Sequence, residues 1–281
     1  MHNMTRRIVK LALSGVIGVL LIAAYTVTSS SAFAQGGSTK AHAALRHTPY
    51  GFALLHWEER TENLRVTISL VGLAGNSIHP AHIHLGDCDD NGPIVYPLND
   101  VVADAAGDAT VTTVIPEVEG GIPASSWYVN VHNGPGLGTP AQFDPIACGN
   151  VVNPNTSTSG DQTVHIFLGG TTAPNQSAFG FAQLSISGDD LLVEVNVHNL
   201  VPGSVHPVHI HAGSCESQLP GNIVYPLKNL VADANGNAES ETVIEGVTSI
   251  PENAWYVNVH RSTNLSTQTG FDPIACGNVE N

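Results

Sequence analysis

The run Leu64-Arg65-Val66-Thr67-Ile68-Ser69-Leu70 alternates apolar and polar side chains along its whole length. Side chains of a strand point to opposite faces in turn, so this run sets an apolar face on a core and a polar face in water. A helix would scatter the same apolar residues around its circumference. A second run keeps the rhythm, with Leu191, Val193, Val195 and Val197 alternating with Leu192, Glu194 and Asn196. The surrounding composition is rich in Gly, Pro, Ser, Thr, Asn and Val, with only 12% charged residues. Such a mixture favours strands joined by tight turns. Asp104-Ala105-Ala106-Gly107 and Asp233-Ala234-Asn235-Gly236 read as two of those turns. With several short strands and no convincing helix, the expected fold is all-β, an antiparallel sandwich or barrel.

The two alternating runs belong to two copies of one unit. His79-Pro80-Ala81-His82-Ile83-His84 returns as His206-Pro207-Val208-His209-Ile210-His211, and Ile94-Val95-Tyr96-Pro97-Leu98 returns as Ile223-Val224-Tyr225-Pro226-Leu227. Trp127-Tyr128-Val129-Asn130-Val131-His132 returns from Trp255 to His260, and Phe143 to Val151 returns from Phe271 to Val279. A period of about 128 residues is far longer than a solenoid repeat, so each copy is a whole domain. The expected boundaries are a first domain over 45–152, a polar linker over 153–163 and a second domain over 164–281.

Ahead of them, Arg6, Arg7 and Lys10 precede an apolar run and an Ala32-Phe33-Ala34 end. This is the pattern of a secretory signal peptide over 1–34, cleaved before Gln35. The competing reading is an uncleaved anchor, which the A-x-A end disfavours. Residues 35–44 are then a flexible N-terminal segment. The mature chain keeps 6 Lys+Arg against 24 Asp+Glu, about −18, a charge that excludes nucleic acid and anionic membrane surfaces as partners. The expected location is secreted, periplasmic or cell-surface.

Cys88 and Cys148 fall in the first copy, Cys215 and Cys276 in the second. Four cysteines allow three pairings, and duplication makes pairing within each copy the economical one. In an exported chain these are disulfides. Each closes a loop of about 60 residues, worth roughly 4 kcal/mol in the chain-entropy description. Metal ligands must then be sought among other residues.

Histidine supplies them. Of 14 histidines, eight form matched pairs across the copies: His79/His206, His82/His209, His84/His211 and His132/His260. His82 and His84 are two apart on a strand and share a face, with Ile83 turned to the core. His132, ending another strand-like segment, closes the cluster. Three neutral imidazoles with an open position suit copper or zinc, and spacing does not choose between them. A lone H-x-H is more often ordinary surface polarity; the third histidine raises the metal reading above that. His79 and His206 are weaker candidates, either fourth ligands or, as we favour, residues that hold the strand by hydrogen bonds. Asn130 and Asn258 share the face of the terminal histidine, either orienting it or serving as ordinary strand polarity. Trp127, Trp255, Tyr96 and Tyr225 are packing residues.

At these residues each copy resembles a Cu/Zn superoxide dismutase domain. The H-I-H motif, the cysteine after it, the strand ending in His132 and the closing Ile146-Ala147-Cys148-Gly149 follow that family's order. Residues 81–98 with Tyr128-Val129-Asn130-Val131-His132 are equally similar to CHRD domains, while the Ala-Cys-Gly ending leans to the dismutase side. The resemblance implies two tandem Greek-key β-sandwiches with copper, one ion per domain, on His82, His84 and His132 and on His209, His211 and His260. It also implies what is missing. The family's zinc loop is reduced to Asp89-Asp90-Asn91-Gly92-Pro93-Ile94-Val95, and Ile94, Pro97, Ile223 and Pro226 stand where zinc ligands would fall. No zinc site of that type is expected. The family's active-site arginine is replaced by Pro145 and Pro273, which weakens the attraction of an anion such as superoxide.

Three functions follow: a copper-only dismutase or related redox enzyme, a copper-buffering or delivery module, and a structural CHRD-like pair without metal. The first two share copper as cofactor and partner; superoxide is the substrate of the first alone.

Overall fold

The computed structural model describes residues 38–90, 92–157 and 159–281. The signal-peptide segment 1–34 and residues 35–37 lie outside the described residues. The described residues from 38 to 281 form one compact unit, and no described helix is long and apolar enough to cross a membrane.

The strands of the first repeat are β1 (Lys40–Leu45), β2 (Tyr50–Glu58), β3 (Asn63–Val71), β4 (Ile78–His79), β5 (Ala81–Leu85), β6 (Ile94–Pro97), β7 (Val101–Val102), β8 (Ala109–Ile115) and β9 (Trp127–His132). A single helical turn, α1 (Pro140–Phe143), precedes β10 (Pro145–Asn150). The second repeat follows with β11 (Gln162–Leu168), β12 (Phe179–Ser187), β13 (Asp190–His198), β14 (Val205–His206), β15 (Val208–Ala212) and β16 (Ile223–Pro226). It ends with β17 (Leu230–Val231), β18 (Ala238–Glu245), β19 (Trp255–His260), α2 (Gln268–Phe271) and β20 (Pro273–Asn278). The fold is all-β, as the alternation predicts, with two helical turns too short to leave a periodic signature.

The strands build two sandwiches, each of two antiparallel four-stranded sheets. In the first, β11-β2-β3-β8 faces β10-β9-β5-β6; in the second, β1-β12-β13-β18 faces β16-β15-β19-β20. The inward residues of the alternating runs make the cores. Leu64, Val66, Ile68 and Leu70 are at most 1% exposed, as are Leu191, Val193, Val195 and Val197. The disulfides pair Cys88 with Cys148 and Cys215 with Cys276, each within its repeat.

The edge strands are exchanged between repeats. β11 pairs with β2 from Gln162↔Trp57 to Leu168↔Gly51, and its Val164, Ile166 and Leu168 join the first core. β1 pairs with β12 from Lys40↔Ser185 to Leu45↔Gly180, and its Ala41, Ala43 and Leu45 join the second core. Main-chain bonds between His42 and Glu280 and between Arg46 and Cys276 tie β1 to the opposite sheet as well. These pairings correct two sequence expectations. Residues 40–44 are a paired strand and not part of a flexible segment. Gln162 and Thr163, read as linker, and residues 164–168, read as the start of the second domain, pair as one strand with β2 and complete the first sandwich. Alternation marks a strand's faces but not its partner, and duplication gives β2 and β12 similar edges, so sequence alone leaves the pairing open.

Candidate metal centre

β5 is buried on both faces, which explains its lack of alternation: Ile83 points into the core while His82 and His84 point away from it. In register, His82 faces Asn130 and His84 faces Tyr128 on β9, so Tyr128, Asn130 and His132 share the histidine face. Register shifts adjoin the ligands, between Ile83 and His84 against β6 and between Pro145 and Ala147 opposite His132. Such irregularities re-aim side chains at strand ends. The second repeat shifts at the corresponding places, Ile210/His211 and Val259/His260.

His82, His84 and His132 are thereby brought together, with one ring nitrogen of each lying within 4.8 Å of the others; His209, His211 and His260 form the same group. All six are buried, His82 and His209 being the most open at 8% exposure. His84 Nδ1 donates to the Gly92 carbonyl at 2.9 Å, and His132 Nδ1 donates to the Phe143 carbonyl at 2.6 Å. A carbonyl oxygen only accepts, so Nδ1 of each ring carries the proton and Nε2 is a bare lone pair. Those two Nε2 atoms and His82 Nδ1 are buried without any partner. In the second repeat, His211 donates to Gly221 at 2.9 Å and His260 to Phe271 at 2.6 Å, leaving His211 Nε2, His260 Nε2 and His209 Nδ1 alike.

Three buried ring nitrogens without partners cost about 1–3 kcal/mol each when left unsatisfied. A bound cation satisfies all three together, and a carbonyl-fixed tautomer is the usual support of a ligand histidine. Burial also depresses the pKa values of His132, His209 and His260 to about 4 from 6.5, and lowers those of His82 and His211. Burial thus favours the neutral form in these five rings, the form that ligates. The donor set fits a transition metal.

His79 and His206 do not enter the triads. His79 Nδ1 donates to the carbonyls of His132 at 3.0 Å and Asn133 at 3.1 Å, while Nε2 bonds Ser77 Oγ at 2.7 Å. His206 repeats this with His260 at 2.9 Å and Ser204 Oγ at 2.7 Å. Both nitrogens being engaged, each ring braces the end of a ligand strand. Asn130 and Asn258 lie on the ligand face, yet their side-chain oxygens have no partner and do not hold the histidines. Backbone carbonyls do that instead, and a carbonyl has no sequence signature.

Two further features escaped the sequence reading. Tyr128 stacks on His84 at 4.9 Å and Tyr256 on His211 at 5.1 Å; their places at the same strand parity as the third histidine were the available signal. Gly92, whose carbonyl fixes His84, has its own N–H donated to Tyr128 Oη at 3.1 Å. A Cβ there would overlap the Leu85 carbonyl, so the close turn demands glycine. Tyr96 and Trp127 pack edge-to-face at 5.5 Å, as do Tyr225 and Trp255, in agreement with a packing role.

In comparison with known proteins, the family described as CHRD domain matches residues 26–135 and 155–267, so each match contains one complete triad. Both matches end before Cys148 and Cys276, the residues that leaned toward the dismutase resemblance. No curated protein matches the chain.

Proposed function

This chain belongs to the CHRD domain family, and we propose that it is an exported copper-binding protein with one three-histidine site in each repeat. The observation that carries this reading is the set of unpartnered, buried ring nitrogens, two Nε2 and one Nδ1, converging in both repeats. Three neutral nitrogen donors without carboxylate or thiolate suit copper, which tops the divalent affinity order at such ligands. Two intrachain disulfides accord with folding in an oxidising compartment.

Copper supplies one-electron redox chemistry when bound, so superoxide dismutation is the finer reading. The chain's own residues give it modest support. They hold the ligand set and exclude water from the ligand atoms. Arg261, which follows His260 in the chain, is buried at 8% exposure and offers no surface charge to draw in an anion. Against a mature charge of about −18, dismutation would be slow and sensitive to salt. Buffering or delivery of copper needs none of these missing parts, and is the second reading.

The test is the metal content of residues 35–281, purified from an oxidising compartment and offered copper and zinc together. About two copper atoms per chain, falling to about one in His82→Ala/His84→Ala, is the expected result. Absence of metal sinks both copper readings, and preference for zinc removes the redox one. A dismutase assay on the copper-loaded protein, with rates no greater than free histidine–copper complexes, would leave buffering.

A further inference from the structure

The helical turns α1 and α2 differ at their first residue. Pro140 opens α1 and Gln268 opens α2. In α1, Thr139 and Gln142 form a reciprocal cap, whereas Thr267 makes no side-chain cap bond. The Gln268 side chain turns instead to the other repeat. Its Nε2 donates to the carbonyls of Ile78 and Asn133, both at 2.8 Å, and its Oε1 accepts from the Ile78 N–H at 3.1 Å. Asn133 Nδ2 adds a longer bond to the Thr269 carbonyl at 3.4 Å.

The two segments held in this way are those that place His132. Asn133 follows it directly, and Ile78 precedes His79, whose ring donates to the carbonyls of His132 and Asn133. Pro140, at the matching place in the first repeat, cannot do the same for the second, because its ring has neither donor nor acceptor.

We propose that Gln268 is a positioning residue for the first triad, lent by the second repeat, and that the two triads are consequently unequal sites. Its consequence for metal rests on the copper reading above; its effect on His132 does not. Removing the side chain frees one main-chain group in the turn after His132, the Asn133 carbonyl, and two on Ile78 ahead of His79. Loss of a group that orients a metal ligand weakens binding about 10- to 100-fold.

The experiment uses the full mature chain with one triad disabled at a time. With His209→Ala/His211→Ala, only the first triad remains. There, Gln268→Ala should lower Cu(II) affinity about tenfold and change the copper hyperfine pattern in electron paramagnetic resonance. With His82→Ala/His84→Ala, the same substitution should leave affinity and spectrum of the second triad unchanged. In the metal-free protein, Gln268→Ala should shift the His132 ring nitrogen resonances and spare those of His260. A first triad unmoved in all measurements overturns the proposal, as do equal shifts in both triads, which would mark general loosening. A parent chain that takes up no copper sinks the copper reading alone, and the His132 resonances then decide the positioning role.

Discussion

The two repeats hold the same triad in the same cradle, but the sandwiches around them are closed differently. The first is closed by β11, which buries Val164, Ile166 and Leu168, while the second is closed by β1, which buries Ala41, Ala43 and Leu45. Burial of a Val, Ile or Leu side chain stabilises by roughly 1.5–3 kcal/mol, and an alanine contributes far less. The outer faces diverge too. On the first, Thr67 bonds Thr112 at 2.9 Å and Ser69 bonds Thr110 at 3.1 Å across strands. On the second, Glu194 stands opposite Glu241 and Asp190 opposite Glu245, like-charge pairs that destabilise a sheet. The histidine triad and its immediate supports are thus the same in both repeats while the edge strands and outer faces differ, and the second sandwich depends on a strand drawn from the far end of the chain.

Deleting residues 35–45 should break this comparison most strongly. The second sandwich loses an edge strand and its inward residues, whereas the first keeps all its strands. Hydrogen exchange read by mass spectrometry should show lost protection over β12 to β20 and retained protection over β2 to β11. Equal loss in both halves would show that the sandwiches are not separately closed.

Acid should act on both repeats. Burial depresses His79 and His132 to about 4 from 6.5. Between those values the unfolded chain binds protons that the folded chain does not, so stability is full above about pH 6.5 and falls as pH drops toward 4. For His79, which is 0% exposed, the loss is of order 3 kcal/mol. Urea midpoints of the metal-free chain should fall over that range, less steeply in His79→Gln; an unchanged slope would place the proton uptake elsewhere.

The smallest effect sharpens the contrast between the helical turns. Thr139→Ala removes a capping bond and should cost about 1 kcal/mol, while Thr267→Ala removes no capping bond, only exposed bonds to the Asn264 carbonyl and the Thr269 hydroxyl, and should cost less. Paired thermal midpoints decide it, and equal losses would mean that the two turns are capped alike.

Much of the site was readable in the sequence. His82 and His84 share a face because a strand has period two, and the recurrence of His132 as His260 pointed to the third histidine of each buried group. The cysteine pairs followed from duplication. The tautomers were not readable, because the carbonyls of Gly92 and Phe143 that fix them belong to residues whose side chains say nothing of a backbone role. Gln268 was invisible for a related reason: its partners, Ile78 and Asn133, are distant in sequence and offer only main-chain atoms.

The sequence by itself determined the strand character, the duplication and the shared face of each H-x-H pair, and made one of the three cysteine pairings the economical one, since these depend on local periodicity and on counting. Only the tertiary structure decided which sandwich β1 and β11 would complete and how α2 would brace the first triad. Duplication had made the two acceptor edges alike, so the choice between them rests on where the connecting segments deliver each strand and on contacts that form only when both repeats are folded together.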